Sequence, residues 1–101
     1  MKTFFIRHIP GPAWIEGKGF HEQPLREHGN YINSLHKQGI LLEGGPFLDN
    51  EGGLAIIQVE NEEQAQKIVA EDPAITSGVF TAELHPWLRV DWESYGTGAK
   101  D

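Results

Sequence analysis

Apolar residues recur along this chain with two different periods, and the switches between them mark out six elements. From Thr3 to Ile9 the period is two: Phe4 and Ile6 fall on one face, Phe5 and Arg7 on the other, which predicts a strand. Pro10 and Pro12 stop it, and a glycine-containing loop runs to about His21. From Pro24 to Gln38 the pattern becomes helical. At roughly 100° per residue, Leu25, His28, Ile32 and Leu35 lie within an arc of about 80°. His36 falls beside that arc. Pro24 suits the first helical position and Gly39 the residue just past the end. A strand follows from Ile40 to Phe47, a turn over residues 48–53, and a nearly all-apolar strand from Leu54 to Val59. A second helix starts at the N-cap Asn61, buries Ala65, Ile68 and Val69, and ends at Asp72-Pro73. The last strand runs from Val79 to about Leu88. Phe80, Ala82 and Leu84 face one way, and Thr81, Glu83 and His85 the other.

The order is βαββαβ, which predicts a ferredoxin-like α+β fold. Right-handed crossovers place both helices on one face of a four-stranded antiparallel sheet. The other face mixes Arg7, Thr81, Glu83 and His85 with Phe5, Val79 and Trp87. That mixture suits a wet cavity or a dimer interface better than open solvent. Residues 1–88 read as one domain and 89–101 as a C-terminal extension, with a loose tail over Tyr95–Asp101.

Charge and composition narrow the partners. Eight basic against fifteen acidic residues give a net charge of -7, which argues against nucleic acid or an anionic membrane as partner. No apolar run approaches the roughly 20 residues that span a bilayer. No signal-type segment opens the chain, so a cytoplasmic location is the default expectation. With no cysteine, thiolate nucleophiles, disulfides and Cys-based zinc sites are excluded.

Two residues break the apolar pattern. His28 places an imidazole on the core-facing stripe of the first helix. A satisfied core histidine is the ordinary reading, yet a neutral imidazole beside a carboxylate is a competent general base. Asp72 supplies the carboxylate. Counted from Ala65 it falls about 20° off the centre of the second helix's stripe, so it points inward. It also stands at that helix's C-terminal end, where the macrodipole opposes an anion. An inward Asp there needs a donor, and His28 is the obvious one. A His-Asp dyad fixes the tautomer and makes the free nitrogen more basic. Ser77 lies nearby, but no G-x-S-x-G elbow surrounds it.

Other candidates compete with blander roles. Arg7 can anchor an anion or form a cross-strand pair with Glu83, and the pair is the stronger reading. Trp14 can lid a pocket or staple its loop to the core. Gly44-Gly45-Pro46 lets something approach the sheet closely, or marks a bulge. Of the histidines His8, His21, His28, His36 and His85, none forms H-x-H or H-x-x-x-H, so no metal site is expected.

Taken in order, His28, Gly39, Gly45-Pro46, Ala65, Asp72-Pro73 and Gly78 resemble the YCII-related (YciI-like) family of the dimeric α+β barrel superfamily. The resemblance covers about Phe4 to Trp87. The opening Arg7, Pro10 to Trp14, Gln23 and His28 is similar to one subgroup, and the long insertions some relatives carry after the Gly-Pro are absent. The resemblance implies a homodimer whose two sheets close into a barrel, and an active-site pair at His28 and Asp72. One member resembles a dehydrochlorinase of hydroxylated rings, and sister families include isomerases and cofactor-free monooxygenases.

Three classes of function stand against one another. The first is a cofactor-free proton-transfer enzyme on a small molecule, a lyase, isomerase or dehalogenase. It would use His28 as base, Asp72 as its orienter, and Arg7, Trp14, Gly45 and Pro46 toward the substrate. The second is a small-metabolite binding or accessory protein in which His28-Asp72 is a buried structural pair. The third is an interaction module working through its dimer surface.

Overall fold

The alternation of the first strand survives in three dimensions and sets the inside of the molecule. In a computed structural model, which describes residues 1–96, β1 (Lys2–Pro10) buries Phe4, Ile6 and His8 and turns Phe5 and Arg7 the other way. It is central. Strand order is β2-β3-β1-β4, with β2 (Leu41–Pro46), β3 (Gly53–Val59) and β4 (Phe80–Pro86), and all pairings are antiparallel. A register shift between Leu41 and Glu43 marks a bulge in β2. The expected loose tail over Tyr95–Asp101 falls largely outside the described residues.

Helices α1 (Arg26–Lys37) and α2 (Glu62–Ala70) cover one face of the sheet. Leu35, Ala65 and Ile68 close the core over Phe4, Ile6, Ala55, Ile57 and Val59. Non-local β pairing and this one-sided burial together define a four-stranded α+β fold of βαββαβ order. The opposite face carries Phe5, Leu54 and Ile56, each partly exposed. His36, beside the helical arc in sequence, is exposed. No helix among the described residues is long and apolar enough to cross a membrane.

Two helix boundaries differ from expectation. First, α1 starts at Arg26 with Leu25 as N-cap, so Pro24 precedes the helix rather than opening it. The reason is Gln23. Its buried side chain bonds the backbone of Ile15 and Lys18, which holds the entry segment extended and pins the 11–23 loop. Second, α2 ends at Ala70, and a further four-residue helix, α3 (Pro73–Thr76), follows. Asn61 caps α2 as expected, accepting from Gln64 N at 2.8 Å, and Gly39 leaves α1 at φ +77°.

Candidate active site

Three elements deliver three polar side chains to one point. His8 comes from the end of β1, where the core-facing alternation of Phe4 and Ile6 continues for one more step. His28 comes from the first turn of α1, and Asp72 from the junction of α2 and α3. His8 is 4% exposed and Asp72 2%. His28 Nδ1–H donates to the Asp72 carboxylate, at 2.9 Å to Oδ1 and 2.8 Å to Oδ2. His8 Nε2 stands 3.7 Å from Asp72 Oδ2. The two imidazoles meet edge to face with centroids 5.0 Å apart, and Phe80 packs against both.

Asp72 does not suffer the unfavourable dipole expected of it. Glu71 is the C-cap of α2, and Asp72 is the N-cap of α3, with Pro73 at the first helical position. Its Oδ1 accepts from Ala74 N at 2.9 Å. The carboxylate therefore sits at the donor end of a helix, which favours the anion, and its backbone bond fixes its direction toward His28.

Electrostatics separate the members of the trio. Burial, then the neighbouring His28, lowers the His8 pKa to about 4, and Asp72 opposes the drop only in part. His8 is thus an uncharged imidazole near neutrality. Tyr31 ties α1 to α2: its hydroxyl donates to Ile68 O at 2.7 Å. Burial and the carboxylates of Glu71 and Asp72 push that phenol up to about 12.

A cavity of about 260 Å³ opens onto the imidazoles. Gly45 and Pro46 line it, as do His8, His28 and Phe80. Trp14 stacks on Phe80 with centroids 5.7 Å apart, so it backs the wall and is not itself part of it. Arg7 is not brought to this cavity. It points to the other face of the sheet, opposite Glu83 in register and 3.8 Å from its carboxylate. Strand alternation dictates this, because its neighbour His8 faces the core.

His8 shares the inward face of Phe4 and Ile6, and what no local spacing reveals is its meeting with His28 and Asp72. It also changes the account of metals: His8, His28 and Asp72 offer three donor atoms within 4.8 Å of one another, a set assembled from distant elements rather than from a short motif.

The fold defines a ferredoxin-like α+β domain, and it sets a buried Asp72 and a half-buried His28 beside a small cavity. Residues 20–87 match the YCII-related domain, and the chain belongs to that family. It is 28% identical over 68 residues to the uncharacterized protein YjpA of Bacillus subtilis (strain 168), covering 67% of this chain and 80% of YjpA. Its fold is similar to that of 5-chloro-2-hydroxyhydroquinone dehydrochlorinase (TftG) from Burkholderia phenoliruptrix AC1100, solved in complex with 2,5-dihydroxybenzoquinone. The TM-score is 0.63 at 20% identity, over 85% of this chain and 93% of that one. At that identity the likeness establishes the fold.

Proposed function

We propose that this protein is a small-molecule enzyme that moves a proton without a cofactor, as a lyase, isomerase or dehalogenase acting on an aromatic or enolic metabolite. The observation that carries the reading is the 2.8 Å contact between His28 Nδ1 and Asp72. With Nδ1–H committed to the carboxylate, Nε2 is left to accept a proton, and the imidazolium that forms is balanced by Asp72. The similar fold of a dehydrochlorinase supports including loss of hydrogen chloride among the reactions that a base here would serve. Gly45 and Pro46 would contact the substrate directly, and Trp14 would act through Phe80. Arg7, paired with Glu83 on the other face, has no part in this reading.

The reading includes a homodimer. The sheet face away from the helices keeps Phe5, Leu54 and Ile56 partly exposed, and a second sheet would cover them.

One feature favours a second reading, a non-catalytic binding protein. Asp72 also caps α3, which is a structural task. A chloride-release and deuterium-exchange screen over chlorinated and hydroxylated hydroquinones separates the two. Turnover that falls about 10²–10⁴-fold in His28→Ala supports the enzyme. Full activity in His28→Ala would sink it.

A further inference from the structure

We infer that His8 is a second catalytic residue of this cavity, whose ring N–H holds the oxygen of an uncharged carbonyl substrate while His28 takes a proton from the adjacent carbon. The inference rests on the proposed role of His28 and adds to it a substrate class and an electrophilic partner.

Among the described residues around the cavity, the only polar side chains are His8 and His28, and the rest are glycine, proline, leucine, isoleucine and phenylalanine. No lysine or arginine lines it. A carboxylate or phosphate entering here would lose hydration without gaining a counter-charge from the lining. An uncharged, largely apolar molecule with one oxygen suits these walls.

His8 itself is the second observation. It is 4% exposed, yet its ring makes no hydrogen bond within the described fold. The approach of its Nε2 to Asp72 Oδ2, at 3.7 Å, exceeds hydrogen-bond reach. Its ring forms part of the cavity wall, and among the described residues no fully buried side-chain nitrogen lacks a partner, so the His8 nitrogens keep some access to that space. A neutral imidazole carries one donor and one acceptor, so a ligand oxygen completes what the fold leaves undone. The low His8 pKa agrees, because it keeps the ring uncharged near neutrality.

Geometry supplies the third. The His8 and His28 rings are 5.0 Å apart and nearly perpendicular. One C–C=O unit can touch both. His28 Nε2 removes a proton from the carbon beside the carbonyl. The C–H electron pair becomes the new C=C bond, and the carbonyl π pair moves onto oxygen, where the His8 N–H stabilises it. In a β,γ-unsaturated ketone the enolate is conjugated with the second C=C. The oxygen pair re-forms the carbonyl, the enolate C=C pair shifts to the α,β position, and the original C=C pair takes the proton from His28 at the γ-carbon. Atoms and electrons balance, and no redox partner is required.

The test uses the full-length protein and two simple ketones. Isomerisation of cyclohex-3-enone to cyclohex-2-enone is followed by ultraviolet absorbance. The carbonyl stretch of bound cyclohex-2-enone is read by infrared difference spectroscopy. In wild type the stretch moves to lower frequency. His8→Phe abolishes that movement and lowers kcat about 10²–10³-fold, the usual effect of losing one oxyanion donor. His8→Gln, which keeps an N–H, restores part of both, and it keeps the test open if the Phe variant fails to fold. His28→Ala loses the rate but keeps the frequency shift. A stretch unmoved by His8→Phe, or no ketone bound by wild type, overturns the inference. Full rate in His28→Ala overturns the general-base reading instead, and the two failures are distinguishable because the stretch needs no turnover.

Discussion

Gly52 lies against the backbone carbonyl of His8, at φ +109°, so closely that a Cβ there would overlap the carbonyl oxygen. The β2–β3 turn thereby fixes the strand segment that carries His8, and no other residue fits. Gly52→Ala is expected to destabilise the fold by about 1–3 kcal/mol and to displace His8. Gly29, next to His28, is the internal control: a Cβ there meets nothing within 4 Å, and it occupies a helix interior. Gly29→Ala should stabilise by about 1 kcal/mol. Urea unfolding of the two variants checks both signs, and equal effects would show that the turn does not brace β1.

Asp72 has two bonded tasks, and two substitutions separate them. Asp72→Ala removes the cap on Ala74 N and orphans His28 Nδ1–H, so it should cost about 1–3 kcal/mol. Asp72→Asn keeps an oxygen for Ala74 but loses the charge that balances an imidazolium. It should leave the melting temperature close to wild type and still lower turnover by at least about tenfold, a fraction of the about 10²–10⁴-fold that acid–base catalysis supplies. Thermal melts beside the chloride-release assay decide the matter, and unchanged turnover in Asp72→Asn would point to the binding-protein reading.

These tests turn on residues that were unequally legible in the sequence. The inward turn of Asp72 followed from helical periodicity, and its pairing with His28 followed from the matching stripes. Its comfort did not follow. A four-residue helix is too short to have a period, so α3 was invisible and Asp72 looked like an anion at the wrong end of α2. The inward turn of His8 is legible, since Phe4, Ile6 and His8 share one face; its meeting with His28 and Asp72 is not, because the three lie on elements far apart in sequence. The start of α1 depended on Gln23 bonding backward to Ile15 and Lys18, a contact that no local pattern encodes. Arg7 paired with Glu83, the reading that cross-strand register favoured.

The proposed homodimer has its own test. Ile56 sits on β3 with its side chain on the face away from the helices, between Ala55 and Ile57, which are buried in the core. If a second sheet covers that face, Ile56→Lys places a charge in an apolar interface and should shift the protein toward monomer without unfolding it. Sedimentation velocity at several concentrations, with circular dichroism alongside, reads the outcome. A wild type that sediments as a monomer throughout removes the dimer.

His8 makes stability depend on pH in a direction that can be worked out. Its pKa is about 4 when folded against 6.5 for a free imidazole, and burial is the main cause. His28 opposes protonation and Asp72 favours it, while Phe80 completes the contact shell. Between those two values the unfolded chain holds the proton and the folded chain does not, so protonation draws the protein toward unfolding. The contribution of an uncharged His8 is therefore intact above about pH 6.5 and lost as pH falls toward about 4. The full difference corresponds to about 3 kcal/mol. Carboxylates also titrate in this window, so the informative quantity is the contrast with His8→Phe, which cannot take up a proton. Urea unfolding at pH 7 and pH 4.5 should show wild type losing about 2–3 kcal/mol more than His8→Phe over that interval. Parallel losses in the two proteins would mean that His8 reaches solvent and charges freely. A shallow dependence in His8→Phe with a steep one in wild type would locate the acid sensitivity of the fold at the imidazole that faces the cavity.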